Sequence, residues 1–197
     1  MNKHHLFTSV QSVIMPQEEK LALVQAEMDL FLEALKKNDR LFVRNHGNGM
    51  RNLFYAGDFI GVIDAEAQVL ETGRIVLGRN EKFFSGARIL SGNDQDGWKI
   101  KTDCGYGKTR TMAREDILAV VDSFQVGGQI YLLWHDQRSK ELNKKIAVLS
   151  GYVLPVSPFV FLSYIKRKIY KWRVRKTQLL LKNHIARTQQ PLPCSQI

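Results

Sequence analysis

The chain has 197 residues, of which 44% are apolar, so it is long enough and apolar enough for one globular domain with a substantial core. Its formal charge of +10 is unevenly distributed: residues 1–143 carry a net −1, whereas residues 144–197 carry 11 basic and no acidic residues. Electrostatic attraction to phosphate is therefore assigned to the C-terminal part. Two cysteines, Cys104 and Cys194, are too few for a disulfide framework and are interpreted as free thiols in a reducing compartment.

The first strong pattern is helical. Between Gln17 and Lys37 the apolar residues recur at helical spacing and form a broad stripe flanked by charged side chains. Within residues 1–40 we therefore predict an amphipathic helix that packs on the following sheet. No long apolar run precedes this helix, so we expect no cleavable signal peptide and predict a cytoplasmic protein.

From Leu41 onward the apolar period becomes two, which is typical of strands. The segments with this pattern are 41–44, 59–63, 74–78, 87–90, 97–101, 117–122 and 129–134. Turns rich in Gly, Asn and Asp separate them, for example Ser91-Gly92-Asn93-Asp94. This spacing predicts a coiled, mostly antiparallel β domain at residues 41–135, so that the fold class is mainly β.

Residues 136–197 have no strand pattern and are predicted to form a basic helical tail. Residues 146–165 carry no charge and are long enough to cross a bilayer. Pro155 and Pro158 would break the backbone ladder near the middle, which favours a pair of short helices that reverse at residues 154–158 over a spanning helix.

The helical pattern resumes after Phe159, where Ile169 and Trp172 fall on one face among basic residues. Two interpretations stay open: this face packs on the domain, or it binds an anionic membrane surface. The side chains predicted to contact membrane or phosphate are Lys166, Arg167, Lys168, Lys171, Trp172, Arg173 and Arg175.

Residues 47–62 predict a loop, an apolar anchor, a tight turn and a strand. Their spacing resembles the nucleophile motif of the signal peptidase I and LexA-like serine peptidases, Gly-x-Ser-Met-x-Pro-x-x-x-x-Gly-Asp followed by a strand. The matching residues are Gly47, Met50, Gly57 and Asp58. Gly49 stands where this family has its nucleophilic serine, and Asn52 replaces the proline.

The resemblance implies a serine hydroxyl, a lysine or histidine base, and backbone donors for the oxyanion. The family carries its base on the strand after the nucleophile loop, in a Lys-Arg-apolar or His-Arg-apolar segment that Ala87-Arg88-Ile89 resembles. Ala87 thus occupies the base position without a titratable group. Weaker likenesses are Gly73-Arg74-Ile75-Val76, Lys101-Thr102-Asp103 and residues 116–121.

The resemblance therefore implies the fold of a serine peptidase whose dyad has been lost. Such folds hold a substrate as an added β-strand, so we predict an inactive domain that binds an extended peptide or protein partner in a peptide maturation pathway. The predicted peptide-binding loop comprises Gly47, Asn48, Gly49, Met50, Gly57, Asp58 and Arg88. One alternative is an active serine peptidase that uses Ser85 or Ser91. Another is an adaptor that binds a membrane surface or, less favoured, nucleic acid through its basic tail.

No metal site or cofactor is predicted, because the His and Cys residues lack ligand spacing. The segment Gly105-Tyr106-Gly107-Lys108-Thr109 resembles the end of a phosphate loop but lacks the first glycine and the preceding strand. We interpret it as a solvated turn. His135-Asp136 is interpreted as a strand end, since no serine lies in a nucleophile elbow.

Overall fold

The computed structural model of the chain describes residues 17–46, 49–50, 53–80, 83–103, 108–151, 160–189 and 192–193. The helices in these residues are α1 (Gln17–Lys37), α2 (Gln137–Gly151) and α3 (Val160–Thr188). The strands are β1 (Leu41–Arg44), β2 (Phe59–Asp64), β3 (Ile75–Asn80), β4 (Phe83–Asn93), β5 (Gly97–Lys101), β6 (Arg110–Met112), β7 (Ile117–Val126), β8 (Gln129–Leu132) and β9 (Leu192–Pro193).

All of these strands belong to one curled sheet in which every pairing is antiparallel. The order is β1-β2-β7-β3-β4-β5-β6, and β8 pairs with both β7 and β9. Strand β7 is central because β2 pairs along one edge, while β3 and then β8 pair along the other. The prediction of a mainly antiparallel β fold with an N-terminal helix and C-terminal helices is confirmed.

Each face of the sheet has its own apolar core. One face packs against the helices, through a cluster that includes Leu35 of α1, Ile146 of α2 and Leu181 of α3. The other face has a second cluster, in which Ala87 of β4 and Ile100 of β5 pack together. Successive residues of a strand point to opposite faces, so neighbouring positions on β4 contribute to different cores.

Strand β4 is paired differently along its two edges. It pairs with β3 from Phe83 to Arg88, and with β5 only from Arg88 to Asn93. In the described part of the chain, the edge of residues 83–87 that faces away from β3 has no strand partner. Within the described residues, this short stretch of β4 is therefore a sheet edge without a second strand.

The predicted helix at 17–37 is confirmed by α1, which has the same bounds. Met28 and Leu35 are buried, and Leu35 packs in the cluster that contains Ile60 and Val62 of β2. Part of the apolar stripe therefore docks the helix on the sheet, whereas Leu30 of the same stripe is 69% exposed.

The two C-terminal helices share the core of the sheet. Val174, Leu181 and Ile185 of α3 are buried at helical spacing and join the helix-side cluster. Gly73 shows how close the contact is, because a Cβ at this position would lie 2.8 Å from the backbone N of Lys144 in α2. Its φ of +99° is also one that glycine adopts most easily.

Residues 146–165 are divided between two helices, since α2 ends at Gly151 and α3 begins at Val160. Two helices are therefore present as predicted, but α3 spans 29 residues and is not short. The predicted reversal at 154–158 lies outside the described residues. Among the residues that the structure describes, no helix combines the length and the apolarity needed to cross a bilayer.

Candidate functional site

The Gly57-Asp58 turn closes the loop before β2. Gly57 has a φ of +100°, and its N–H donates to the carbonyl of Asn45 at 2.7 Å. The Asp58 carboxylate accepts the N–H of Tyr55 at 2.7 Å, and the Asp58 carbonyl accepts the N–H of Asn45 at 2.7 Å. These bonds fasten the loop to the end of β1, so the predicted tight turn is confirmed. Gly47 and Asn48 lie outside the described residues.

The two positions without catalytic side chains lie close to each other. A Cβ on Gly49 would be 3.8 Å from the carbonyl oxygen of Gly86, the residue before Ala87. It would also be 3.0 Å from the Cγ2 of Thr102, which is tighter than ordinary van der Waals contact. Ala87 is 3% exposed and packs in the cluster on the face of the sheet away from the helices. A side chain at position 49 thus requires the methyl group of Thr102 to shift.

An apolar groove lies beside Gly49 on the helix side of the sheet. Its volume is about 520 Å³, and its apolar lining includes Phe31, Val43, Met50, Ile60, Leu77 and Val121. Gly86 also lines the groove. Because glycine has no side chain, space remains between β4 and the loop that contains Met50. Arg44, Asn45 and His46 at the end of β1 supply the polar lining. Met50 is buried here, as a residue that shapes the groove.

Arg88 was predicted to belong to the peptide-binding loop, but its side chain lies in the protein interior. Its side chain is completely buried, and both Nε and Nη2 donate to the Asp103 carboxylate, at 2.9 and 2.7 Å. Nη1 donates to the carbonyl of Gly73 at 2.6 Å and to the Oδ1 of Asn143 at 2.7 Å. Because every Arg88 nitrogen has a partner inside the protein, this side chain holds the fold together and does not face a cleft.

Side chains from both C-terminal helices complete this buried network. Gln178 of α3 donates to Asp103 at 3.0 Å, and the Ser150 hydroxyl of α2 donates to it at 3.4 Å. Asn143 donates to the carbonyls of Leu133 and Ser139. We refer to Arg88, Asp103, Asn143, Ser150 and Gln178 as the buried network. It joins β4, the segment after β5, α2 and α3.

Asp136 marks the start of α2 and not the end of a strand, since β8 ends at Leu132. Its carboxylate accepts the N–H of Ser139 at 2.7 Å, and the Ser139 hydroxyl accepts the N–H of Asp136 at 3.1 Å, which is a reciprocal helix cap. Partial burial raises the pKa of Asp136, but the bonds from Ser139 and from His184 outweigh this and lower the pKa overall. The reciprocal bonds between Asp136 and Ser139 therefore stabilise the start of α2.

Helix α3 carries the predicted membrane or phosphate contacts. Arg167, Lys168, Lys171, Trp172 and Arg175 line one open groove of about 630 Å³ together with Tyr164. Arg173 is exposed outside that groove, and the side chain of Lys166 is not among those described. Trp172 is 58% exposed and Ile169 is 48% exposed. The interpretation in which this face packs on the domain is therefore wrong for these two residues.

Gly86 was not singled out from the sequence. A glycine within a strand most often marks a bulge or the close approach of another backbone, so it is a weak indication of a binding groove. Within the described residues, no group of His, Cys, Asp and Glu side chains has the arrangement of a metal site.

Comparison of the chain with protein-family models, with curated proteins and with solved structures found no match. The resemblance to the signal peptidases stays a prediction.

Proposed function

We propose that this protein binds an extended peptide segment along the free edge of β4, in a signal-peptidase-like domain that does not cut its ligand. The observation that carries the proposal is the edge at residues 83–87, which has no second strand partner among the described residues and lies beside both the apolar groove and Gly49. A peptidase of this kind would use the same edge and groove to hold its substrate. Here, however, Gly49 and Ala87 stand at the positions of the nucleophile and the base.

Affinity comes first from the backbone of β4. A peptide that adds to a sheet edge forms main-chain hydrogen bonds, which do not depend on its sequence. Each such bond contributes roughly 0.5–1.5 kcal/mol net. The five residues from Phe83 to Ala87 are long enough to pair with a short ligand strand.

Selectivity comes from the apolar groove. Gly86 lies both on the unpaired stretch of β4 and on the wall of the groove, so a ligand strand paired there would direct every second side chain toward it. Burying an apolar side chain of the size of Leu or Phe stabilises binding by about 1.5–3 kcal/mol. We therefore propose an apolar anchor residue in the ligand.

The absence of cleavage follows from the side chains at positions 49 and 87. A hydrogen atom at Gly49 cannot attack a carbonyl, and the methyl group of Ala87 cannot accept a proton. The contact of 3.0 Å between a Cβ at position 49 and Thr102 means that the surroundings of Gly49 fit a glycine. Two independent losses at neighbouring positions favour a site retained for binding.

The test combines a binding assay with an activity assay. We expect the wild-type protein to bind an acetylated, amidated peptide in which Leu and Gln alternate, to leave it intact, and to give no adduct with a fluorophosphonate probe. The triple variant with Gly49→Ser, Ala87→Lys and Thr102→Ser supplies both missing groups and removes the obstructing methyl. Mass spectrometry of that variant is expected to show the adduct that the wild type lacks.

Robust hydrolysis by the wild type, with a serine adduct, would refute the proposal and favour an active peptidase. Ser91 is exposed on β4 opposite Lys99, and it lines neither the apolar groove nor the cavity that contains Ala87. The side chain of Ser85 is not described. Ser85→Ala and Ser91→Ala would show which serine carries such activity.

A second function, binding to an anionic membrane surface, is favoured by the exposed aromatic and basic groove on α3. Lys168 lies 4.8 Å from the ring of Tyr164, and Lys176 lies 5.0 Å from the ring of Trp172. An interfacial helix combines basic side chains, which attract anionic lipid, with aromatic side chains, which enter the headgroup region. This helix would place the peptide-binding domain next to a membrane.

Trp172→Ala is expected to lower binding to vesicles that contain phosphatidylglycerol by about threefold to tenfold, because it removes the aromatic anchor. The matched control is Leu179→Ala on the same helix, since Leu179 is equally exposed at 58% but does not line the groove. Flotation measures the bound fraction. The membrane proposal would be contradicted if both variants and the wild type floated equally. It would also be contradicted if the protein bound a labelled RNA in a salt-sensitive way and did not float with vesicles.

A further inference from the structure

A second cavity, which we call the basic cleft, lies beside the proposed peptide site and is lined by Ala87 of β4 and Ile100 of β5. Its volume is about 310 Å³. The lining includes four cationic side chains, one carboxylate and the methyl group of the former base position: Arg79, Lys101, Lys108, Arg110, Asp116 and Ala87.

Among the described residues, the lining of the basic cleft carries more positive than negative charge. In the part of the chain that the structure describes, none of the four cations forms an ion pair with a carboxylate. Like charges gathered around one cavity repel each other, and a bound anion relieves this repulsion. The basic cleft therefore gathers more positive than negative side chains around one open cavity, which is the charge arrangement of an anion-binding site.

Strand geometry connects the basic cleft to the apolar groove. Gly86 lines the groove and Ala87 lines the cleft, because neighbouring residues of β4 face opposite sides of the sheet. A ligand strand paired with β4 alternates in the same way. Its side chains would point in turn toward the groove and toward the cleft.

We infer that the ligand is a peptide in which apolar and acidic residues alternate, with the apolar side chains in the groove and the carboxylates in the basic cleft. This inference rests on the proposed function, because it requires the peptide to pair with β4. It adds the chemical class of the ligand, which neither the edge nor the groove specifies.

The test uses three acetylated, amidated peptides of equal length and the full-length protein. In the first Leu and Glu alternate, in the second Leu and Gln alternate, and in the third the Leu and Glu residues of the first are grouped in two blocks. Fluorescence anisotropy gives the dissociation constants. We expect the first peptide to bind about fivefold or more tightly than the other two, because only it presents carboxylates on one face and apolar side chains on the other.

Arg110→Gln removes one cation of the basic cleft, and Lys99→Gln is its matched control, since Lys99 is an exposed cation on β5 outside the cleft. We expect Arg110→Gln to reduce the preference for Glu over Gln by about threefold or more, and Lys99→Gln to leave it unchanged. Three results would overturn the inference while leaving peptide binding intact. They are equal affinity for the Glu and Gln peptides, equal affinity for the alternating and block peptides, and equal effects of the two substitutions. Binding of none of the peptides would overturn both.

Discussion

Asp103→Ala is expected to lower the free energy of unfolding by about 3–5 kcal/mol. The substitution leaves the guanidinium of Arg88 fully buried without its carboxylate, and it removes an acceptor from Gln178. A buried charge without a partner is among the most destabilising changes in a protein interior, because it has lost its hydration as well. Denaturant unfolding followed by circular dichroism measures the change.

The matched control is Glu141→Ala, which breaks the exposed ion pair with Arg138. Exposed pairs contribute roughly 0–1 kcal/mol, so this variant should remain close to the wild type. The double variant Arg88→Met with Asp103→Leu removes both charges and is expected to recover part of the loss. An Asp103→Ala protein within about 1 kcal/mol of the wild type would mean that the buried network does not join the helices to the sheet.

The buried network also bears on the proposed peptide site, because Arg88 directly follows Ala87 on β4. It fixes the strand against α2 and α3 at the point where pairing with β5 stops and the free edge begins. A rigid strand keeps the backbone groups of residues 83–87 in position for a ligand, so less conformational entropy is lost on binding.

The regular elements could be predicted from the sequence where the apolar period was long enough. The helix at 17–37 and the strands at 41–44 and 97–101 have the predicted bounds. Strand β6 was missed because its three residues, Arg110 to Met112, contain too few apolar positions to show a period. Its position is set by pairing with β5, which the local sequence does not encode.

The buried network could not be predicted, because its members come from four separate segments and share no period. Arg88 was assigned to the peptide-binding loop from its position beside Ala87. Residue alternation on β4 places these two side chains on opposite faces, and the helices that cover Arg88 lie far away in the sequence. Lys108 belongs to the segment interpreted as a solvated turn; it is exposed, as that interpretation expects, and it also lines the basic cleft, while residues 105–107 lie outside the described residues.

Gly86→Val is expected to weaken binding of the Leu–Gln peptide by roughly tenfold to a hundredfold, which corresponds to the loss of one buried apolar anchor. Gly86 has no side chain where it lines the apolar groove, so the added isopropyl group would occupy the space proposed for the ligand. The substitution is compatible with the fold, since a Cβ there would meet Leu77 at an ordinary distance of 3.6 Å and β-branched residues suit strands.

The matched control is Ser91→Val, because Ser91 lies on the same strand, is exposed, and lines neither the groove nor the basic cleft. Both variants introduce the same side chain into β4. A thermal unfolding midpoint close to that of the wild type verifies that each variant is folded.

The measurement that tests the central claim most directly is the dissociation constant of the Leu–Gln peptide for the wild type, Gly86→Val and Ser91→Val, with the peptide recovered afterwards by mass spectrometry. We expect binding by the wild type and Ser91→Val, a loss of at least about tenfold for Gly86→Val, and intact peptide throughout. Equal binding by all three proteins, or cleaved peptide after incubation with the wild type, would contradict a peptide-binding site without catalysis beside Gly49.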